Sequence, residues 1–152
     1  MSVTVICPIY NEKNYIAACI ESLISQDIDK TELEAIFVDG NSTDETRDII
    51  NEYRKKYSWI KLFDNPRQIV PCAMNIGINN ARGSIIVRID AHAAFPTNYI
   101  SELVKNLNFL NADNVGALCE TLPANKSIEA KSIATALSSS FGMGNSYFRV
   151  GA

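Results

Sequence analysis

The chain has a single histidine and a single tryptophan among its 152 residues, and none of its four cysteines is spaced as C-x-x-C. Cys7, Cys19, Cys72 and Cys119 are scattered among apolar neighbours, which suits small buried side chains rather than metal ligands. Basic residues are not in excess: 14 Lys+Arg stand against 17 Asp+Glu, for a formal net charge of -3. That leaves no positive field of the kind that nucleic acid or an anionic membrane surface attracts, so nucleic acid is not an expected partner. No apolar run reaches the ~18 residues a membrane span needs, and no basic stretch followed by an apolar one opens the chain. The sequence therefore reads as cytoplasmic. No internal repeat or low-complexity segment is visible, and two glycosylation sequons, at Asn41 and Asn125, read as chance occurrences.

What is present is one domain's worth of chain, with 47% hydrophobic residues to fill its core. Short β-rich apolar runs alternate with longer stretches of helical period, the pattern of a mostly parallel α/β sheet flanked by helices. Strands are predicted at 3–7, 35–38, 60–63, 84–89 and 115–119. Between the first two, Ile16, Cys19, Ile20, Leu23 and Ile24 recur on one helix face. Ser42, Thr43, Asp44 and Glu45 have the spacing of a capping box, opening a helix that turns Ile49, Ile50, Tyr53 and Tyr57 inward. Further helices are predicted at 70–81, from about Thr97 with Ile100, Leu103, Val104, Leu107 and Leu110 inward, and at 127–139. The glycine-containing tail from Phe141 has no clear period.

In an open parallel sheet, ligands bind outside the carboxyl ends of the strands. The polar residues of this chain gather there. Strand one exits into Pro8-Ile9-Tyr10-Asn11-Glu12, strand two into Asp39-Gly40-Asn41, and strand four into Asp90-Ala91-His92. Acidic and amide groups at three exits, with no lysine or arginine beside them, call for a bound cation or for hydrogen-bond donors on a ligand. Asp90 and His92 stand two apart, so in extended geometry both side chains point the same way. A carboxylate and a neutral imidazole together suit Mn²⁺ and leave coordination positions for diphosphate oxygens. Taken singly, Asp39 is also an ordinary turn former and a lone histidine is often structural.

Several α/β alternatives lack their signatures. The first strand leads into Pro8-Ile9-Tyr10-Asn11 and not G-x-G-x-x-G, and G-x-x-x-x-G-K-[ST] occurs nowhere. A phosphorylation receiver would need an acidic pair after strand one and a lysine after strand five, where Glu120-Thr121 stands instead. A nucleotidyltransferase shares the sheet and metal logic but would want a Gly-rich, basic first loop.

VTVICPIYNE, IFVDGNSTDET and AMNIGINNARGSIIVRIDAH, in this order and at these intervals, closely resemble the donor half of family 2 glycosyltransferases with the GT-A fold. The histidine form of the metal motif, with Arg88 before it and ADNVG at 112–116, is similar to the succinoglycan-type, exopolysaccharide-synthesising branch. The resemblance implies a GT-A, Rossmann-like fold and a nucleotide site formed by Pro8, Tyr10, Asn11, Glu12, Asp39, Asn75 and Asp90. Tyr10 would lie against the base, Glu12 near the ribose, and Asp39 would accept from the base, most simply the imide N–H of uracil. Asp90 and His92 correspond to the first and last members of the D-x-D signature and would hold Mn²⁺ or Mg²⁺. Met74 stands where relatives often have an arginine, with Arg67 or Arg88 as substitutes.

The implied reaction moves a sugar, with inversion, from a nucleotide-diphosphate sugar, UDP-sugar favoured, to a glycan or lipid-linked acceptor. No catalytic base is assigned within the chain: relatives carry it in an acidic motif beyond the fifth strand, expected past Ala152, so 1–152 is expected to be the nucleotide-sugar-binding part of the domain. Association of the full-length protein with the inner face of the membrane stays open. So does the other class, a non-catalytic nucleotide-sugar binding or assembly module.

Overall fold

The computed structural model describes residues 2–123, 125–143 and 146. It divides into two compact units, Met1–Val104 and Lys105–Ala152. In the first unit, β1 (Val3–Ile9), α1 (Ile16–Ile24), β2 (Leu33–Asp39), α2 (Thr46–Lys56), β3 (Ile60–Asp64), α3 (Val70–Asn80) and β4 (Ile85–Arg88) alternate along the chain, followed by the start of α4 (Tyr99–Phe109). All strand pairs are parallel, in the order β3-β2-β1-β4.

Strand periodicity sorts the core into two layers. Val3, Val5, Cys7 and Ile9 of β1, with Leu33, Ala35 and Phe37 of β2, pack with Ile16, Cys19, Ile20 and Leu23 of α1, Ile50 of α2 and Ile100 of α4. Ile6, Ile36 and Val38 pack with Ala73, Met74 and Ile76 of α3 in a second cluster. β1 and β2 are covered on both faces, which is why their sequences are continuous apolar runs without alternation. Gly77 sets the approach of α3, since a Cβ there would lie 2.5 Å from Ile6 Cγ2. Gly83 does the same for the turn before β4, where a Cβ would lie 2.5 Å from the Thr4 nitrogen.

The strand order reverses between β1 and β4. Chain order runs β1 to β2 to β3 on one side of β1, then crosses to place β4 on the other. This reversal is where a crevice opens at the carboxyl ends of the strands. Pro8 marks it. The β1–β4 pairing ends at Ile6↔Arg88, with a last bond from Ile89 N–H to the Ile6 carbonyl at 3.1 Å. The proline two residues on therefore lacks its N–H on the side that β4 has already left, the tolerated place for proline in a strand.

The second unit holds the end of α4, then α5 (Ile128–Leu137) and α6 (Ser140–Met143). Ser127 caps α5, its side chain accepting from the Ala130 N–H at 3.1 Å. The strand expected at 115–119 is not formed; residues 114–123 have no regular structure. Within 115–119 only Val115 is β-branched, Gly116 and Ala117 are weak strand formers, and among the described residues no strand pairs with this run to supply the hydrogen bonds of a ladder. The tail beyond Met143 lies outside the described residues except for residue 146. No helix among the described residues is long and apolar enough to cross a membrane.

Candidate functional site

The exit loops of β1 and β2 are tied together residue by residue. Asn11, in the left-handed region at φ 54°, donates its backbone N–H to Ser42 Oγ at 2.9 Å, and its Oδ1 accepts from the Thr43 N–H at 2.8 Å. The Glu12 N–H donates to Thr46 Oγ1 at 2.8 Å, and the Lys13 N–H to Asp44 Oδ2 at 3.2 Å. An asparagine tolerates the left-handed backbone better than most residues, which explains its presence at this bend. Tyr10 stands on the rim, 53% exposed, beside Gly40, whose N–H donates to the Ile9 carbonyl at 2.8 Å.

The expected capping box of α2 does not form. Glu45 makes no side-chain cap bond. Asp44 does the capping instead, accepting from the Thr46 N–H at 3.0 Å and from its hydroxyl. Ser42 is diverted by a stronger acceptor: both its hydroxyl and its N–H donate to the Asp39 carboxylate. A charged acceptor outcompetes the neutral carbonyls and side chains a cap would offer.

Asp39 is also not the uncompensated charge the sequence suggested. Its side chain is 0% exposed, and Arg47 Nη1 lies 2.6 Å from its Oδ2 and 2.8 Å from Asp64 Oδ1. Asp39 and Asp64 are register partners on β2 and β3, and Arg47 lets these like charges sit side by side. The residue was visible in the sequence as part of a helix. Eight positions beyond Asp39, across the loop between β2 and α2, it reaches the strand's end through the fold and not through any sequence pattern.

β4 completes the rim. Its exit is not extended at Asp90 and His92: the Ala93 N–H donates to the Asp90 carbonyl at 3.1 Å, closing a turn over 90–93. Asp90 Oδ1 is 3.2 Å from Arg88 Nη2, so this carboxylate also has a basic partner. His92 Nδ1 lies 3.2 Å from Glu12 Oε1, and its ring meets that of Tyr15 edge-on, with centroids 6.3 Å apart. The contact bridges β1 and β4 where the strand order reverses. Beneath it, a hydrogen bond with Cys19, burial, and the negative charges of Asp90 and Glu12 push the Cys7 thiol well up. Cys7 and Cys19 are free and buried as expected, whereas Cys72 is half-buried and Cys119 exposed, against the expectation of four buried cysteines: Cys72 is on α3 and Cys119 in the irregular segment 114–123. Asn75 is exposed on α3, outside the network joining the loops.

For a divalent cation the donors available are carboxylate oxygens of Asp90 and Glu12 and the imidazole of His92. These are the hard and intermediate ligands that Mn²⁺ and Mg²⁺ take. Among the described residues no group of three or more such side chains is assembled as a metal cage. The donor chemistry fits a cation held in part by ligand oxygens, as Mg²⁺ commonly is at phosphate sites.

Comparison with known proteins agrees with this architecture. Residues 4–136 match the family model described as glycosyl transferase family 2. The chain is 31% identical over 150 residues, 97% of its length, to the succinoglycan biosynthesis protein ExoA of Rhizobium meliloti, and covers 44% of that protein. Among solved structures, a mannosyltransferase from Pyrobaculum calidifontis in complex with GDP-Man and Mn²⁺ superposes with a TM-score of 0.69 at 28% identity, over 88% of this chain and 39% of that one. S. aureus TarS 1–349 in complex with UDP-GlcNAc shares the fold with a TM-score of 0.65 at 24% identity, over 80% and 38% of the two chains. The chain thus spans less than half the length of these proteins. Its parallel sheet flanked by helices is the GT-A arrangement, and the chain belongs to glycosyl transferase family 2.

Proposed function

We propose that this chain binds the nucleotide-sugar donor of a glycosyltransferase that works in polysaccharide synthesis, moving a sugar with inversion to a glycan or lipid-linked acceptor. One observation carries the proposal: the exits of β1, β2 and β4 converge at the strand-order reversal, joined by the Glu12–His92 contact and the Asn11–Ser42–Asp39 chain of hydrogen bonds. Tyr10 offers a ring at the rim for the base. Asp39 accepts from a ring N–H of the base, Glu12 lies toward the ribose, and Pro8, Asn11 and Asn75 complete the lining. Uracil is the favoured base, as the TarS complex with UDP-GlcNAc supports. Guanine offers a comparable ring N–H, and the mannosyltransferase complex holds GDP-Man.

Asp90 and His92 would hold the divalent ion, Mn²⁺ or Mg²⁺. When bound, that ion neutralises charge on the departing nucleotide diphosphate, the group on which charge develops. The mannosyltransferase complex with Mn²⁺ supports a divalent ion as the cofactor. The acceptor hydroxyl attacks the anomeric carbon as the diphosphate leaves, and its proton goes to a general base that we assign to no residue of these 152. Calorimetry with UDP, GDP and their sugars, with and without Mn²⁺, tests the proposal. Metal-enhanced binding of one nucleotide family is expected; no binding of any nucleotide diphosphate in either condition would refute it.

A further inference from the structure

Asp39 has no free acceptor to offer a base. Three donors make four contacts with its carboxylate: the Ser42 hydroxyl on Oδ1, the Ser42 N–H shared between both oxygens at 3.1 and 3.3 Å, and Arg47 Nη1 at 2.6 Å on Oδ2. A carboxylate has about four lone-pair positions, and a buried one filled in this way admits a new donor only by releasing an old one. Ser42 is not free to leave. It follows Asp39 by three residues, and its Oγ also holds the Asn11 N–H. Arg47 can leave, because its side chain is 36% exposed and already touches a second carboxylate, Asp64, which is 68% exposed.

Resting on the assignment of Asp39 to the base, we propose that Arg47 is a specificity-determining residue of the donor site: it caps Asp39 Oδ2 and yields that oxygen to a ring N–H of the nucleobase while retaining Asp64. Only a base with an N–H at that ring position, the imide of uracil or N1–H of guanine, replaces the bond that is lost. Cytosine presents a bare ring nitrogen there and leaves Asp39 without the exchange. The cost of breaking the Arg47–Asp39 bond therefore falls only on a base that makes the exchange, and such a base regains a bond to Asp39 in return. Asp64 sets the size of that cost, since a guanidinium with a waiting partner leaves Asp39 more readily.

The test is the ratio of UDP to CDP affinity in Mn²⁺, measured by calorimetry on the whole chain. The two ligands share ribose and diphosphate, so changes in overall charge cancel in the ratio. Wild type is expected to favour UDP. Asp64→Asn, at an exposed position, replaces the charged second partner of Arg47 with a neutral amide, which holds the guanidinium less well away from Asp39, and is expected to lower the preference roughly fivefold, the scale of a partly exposed ion pair. Arg47→Ala removes the competitor and is expected to raise it. Should that variant unfold because Asp39 is left unpaired, Asp64→Asn decides alone. An unchanged ratio in Asp64→Asn, or a shift in the same direction for both variants, overturns the proposal and makes Arg47 a structural brace. Equal binding of UDP and CDP by wild type instead removes the assignment of Asp39 to the base.

Discussion

Glu12 and His92 are 80 residues apart in the chain and meet at 3.2 Å across the gap between β1 and β4. Parallel strands placed side by side on either side of a topological reversal bring their exit loops together, so this contact follows from the order β3-β2-β1-β4 and not from any local pattern. It joins the chain's single imidazole to a carboxylate whose backbone is already fixed by Thr46.

If His92 is a cation ligand, His92→Ala should reduce the Mn²⁺-dependent gain in UDP affinity by roughly tenfold or more, the effect of disturbing a metal's ligand set. Binding without metal should stay as it was. The side chain is 62% exposed, so the thermal midpoint should barely move. Matching Mn²⁺ gains in wild type and variant, measured by calorimetry, would remove imidazole from the metal site.

Much of this arrangement is legible in sequence because it depends on period and punctuation. The α1 stripe of Ile16, Cys19, Ile20 and Leu23 is buried as its spacing requires, and the apolar runs of β1 and β2 are the doubly covered central strands. The exit loops could be located for the same reason. What the sequence does not carry is competition among partners. Ser42 has a cap-like position, yet a buried carboxylate three residues before it takes both of its donors. Arg47 reads as one more helix-surface cation until β2 and β3 are set in register and their terminal aspartates face each other. The missing strand at 115–119 is the converse case, an apolar run whose state depends on a neighbour and not on its own residues.

The capping of α2 can be separated from the site chemistry. Asp44→Ala removes the acceptor for the Thr46 N–H and hydroxyl and for the Lys13 N–H, and should lower the thermal midpoint. Glu45→Ala, at the box position that makes no cap bond, should lower it less. Equal losses in circular-dichroism melts would mean that Asp44 is not the working cap.

Close packing at Gly77 makes a second stability prediction. An added methyl would sit 2.5 Å from Ile6 Cγ2 and 3.0 Å from its Cδ1. Ile6 is itself fully buried in β1. Gly77→Ala should therefore destabilise by about 1–3 kcal/mol, the usual cost of overpacking, despite alanine's better helix propensity. Urea denaturation would show it as a lower midpoint, and an increase would mean that α3 shifts outward without strain.

At the other end of the sheet, Glu34 ties four segments together, and its titration should be visible in stability. Its carboxylate accepts from the Thr4 hydroxyl at 2.8 Å and the Arg82 N–H at 3.0 Å, and pairs with Lys61. Thr4 in turn accepts from the Gly83 N–H at 2.9 Å. Burial pushes the carboxyl up, but the bonds from Lys61, Arg82 and Thr4 outweigh it and hold its pKa below the ordinary 4.5. A carboxylate with a depressed folded pKa stabilises the fold fully above its unfolded value and loses that contribution as pH falls through the folded one. Wild type should thus weaken as pH drops below about 4.5. Glu34→Gln should be less stable at neutral pH by about 2 kcal/mol, the scale of lost charge-assisted bonds, and should lack this part of the acid dependence. The two stability curves should converge at low pH, where a protonated Glu34 resembles the amide. Parallel curves across the whole range would mean that the network holds equally well without the charge.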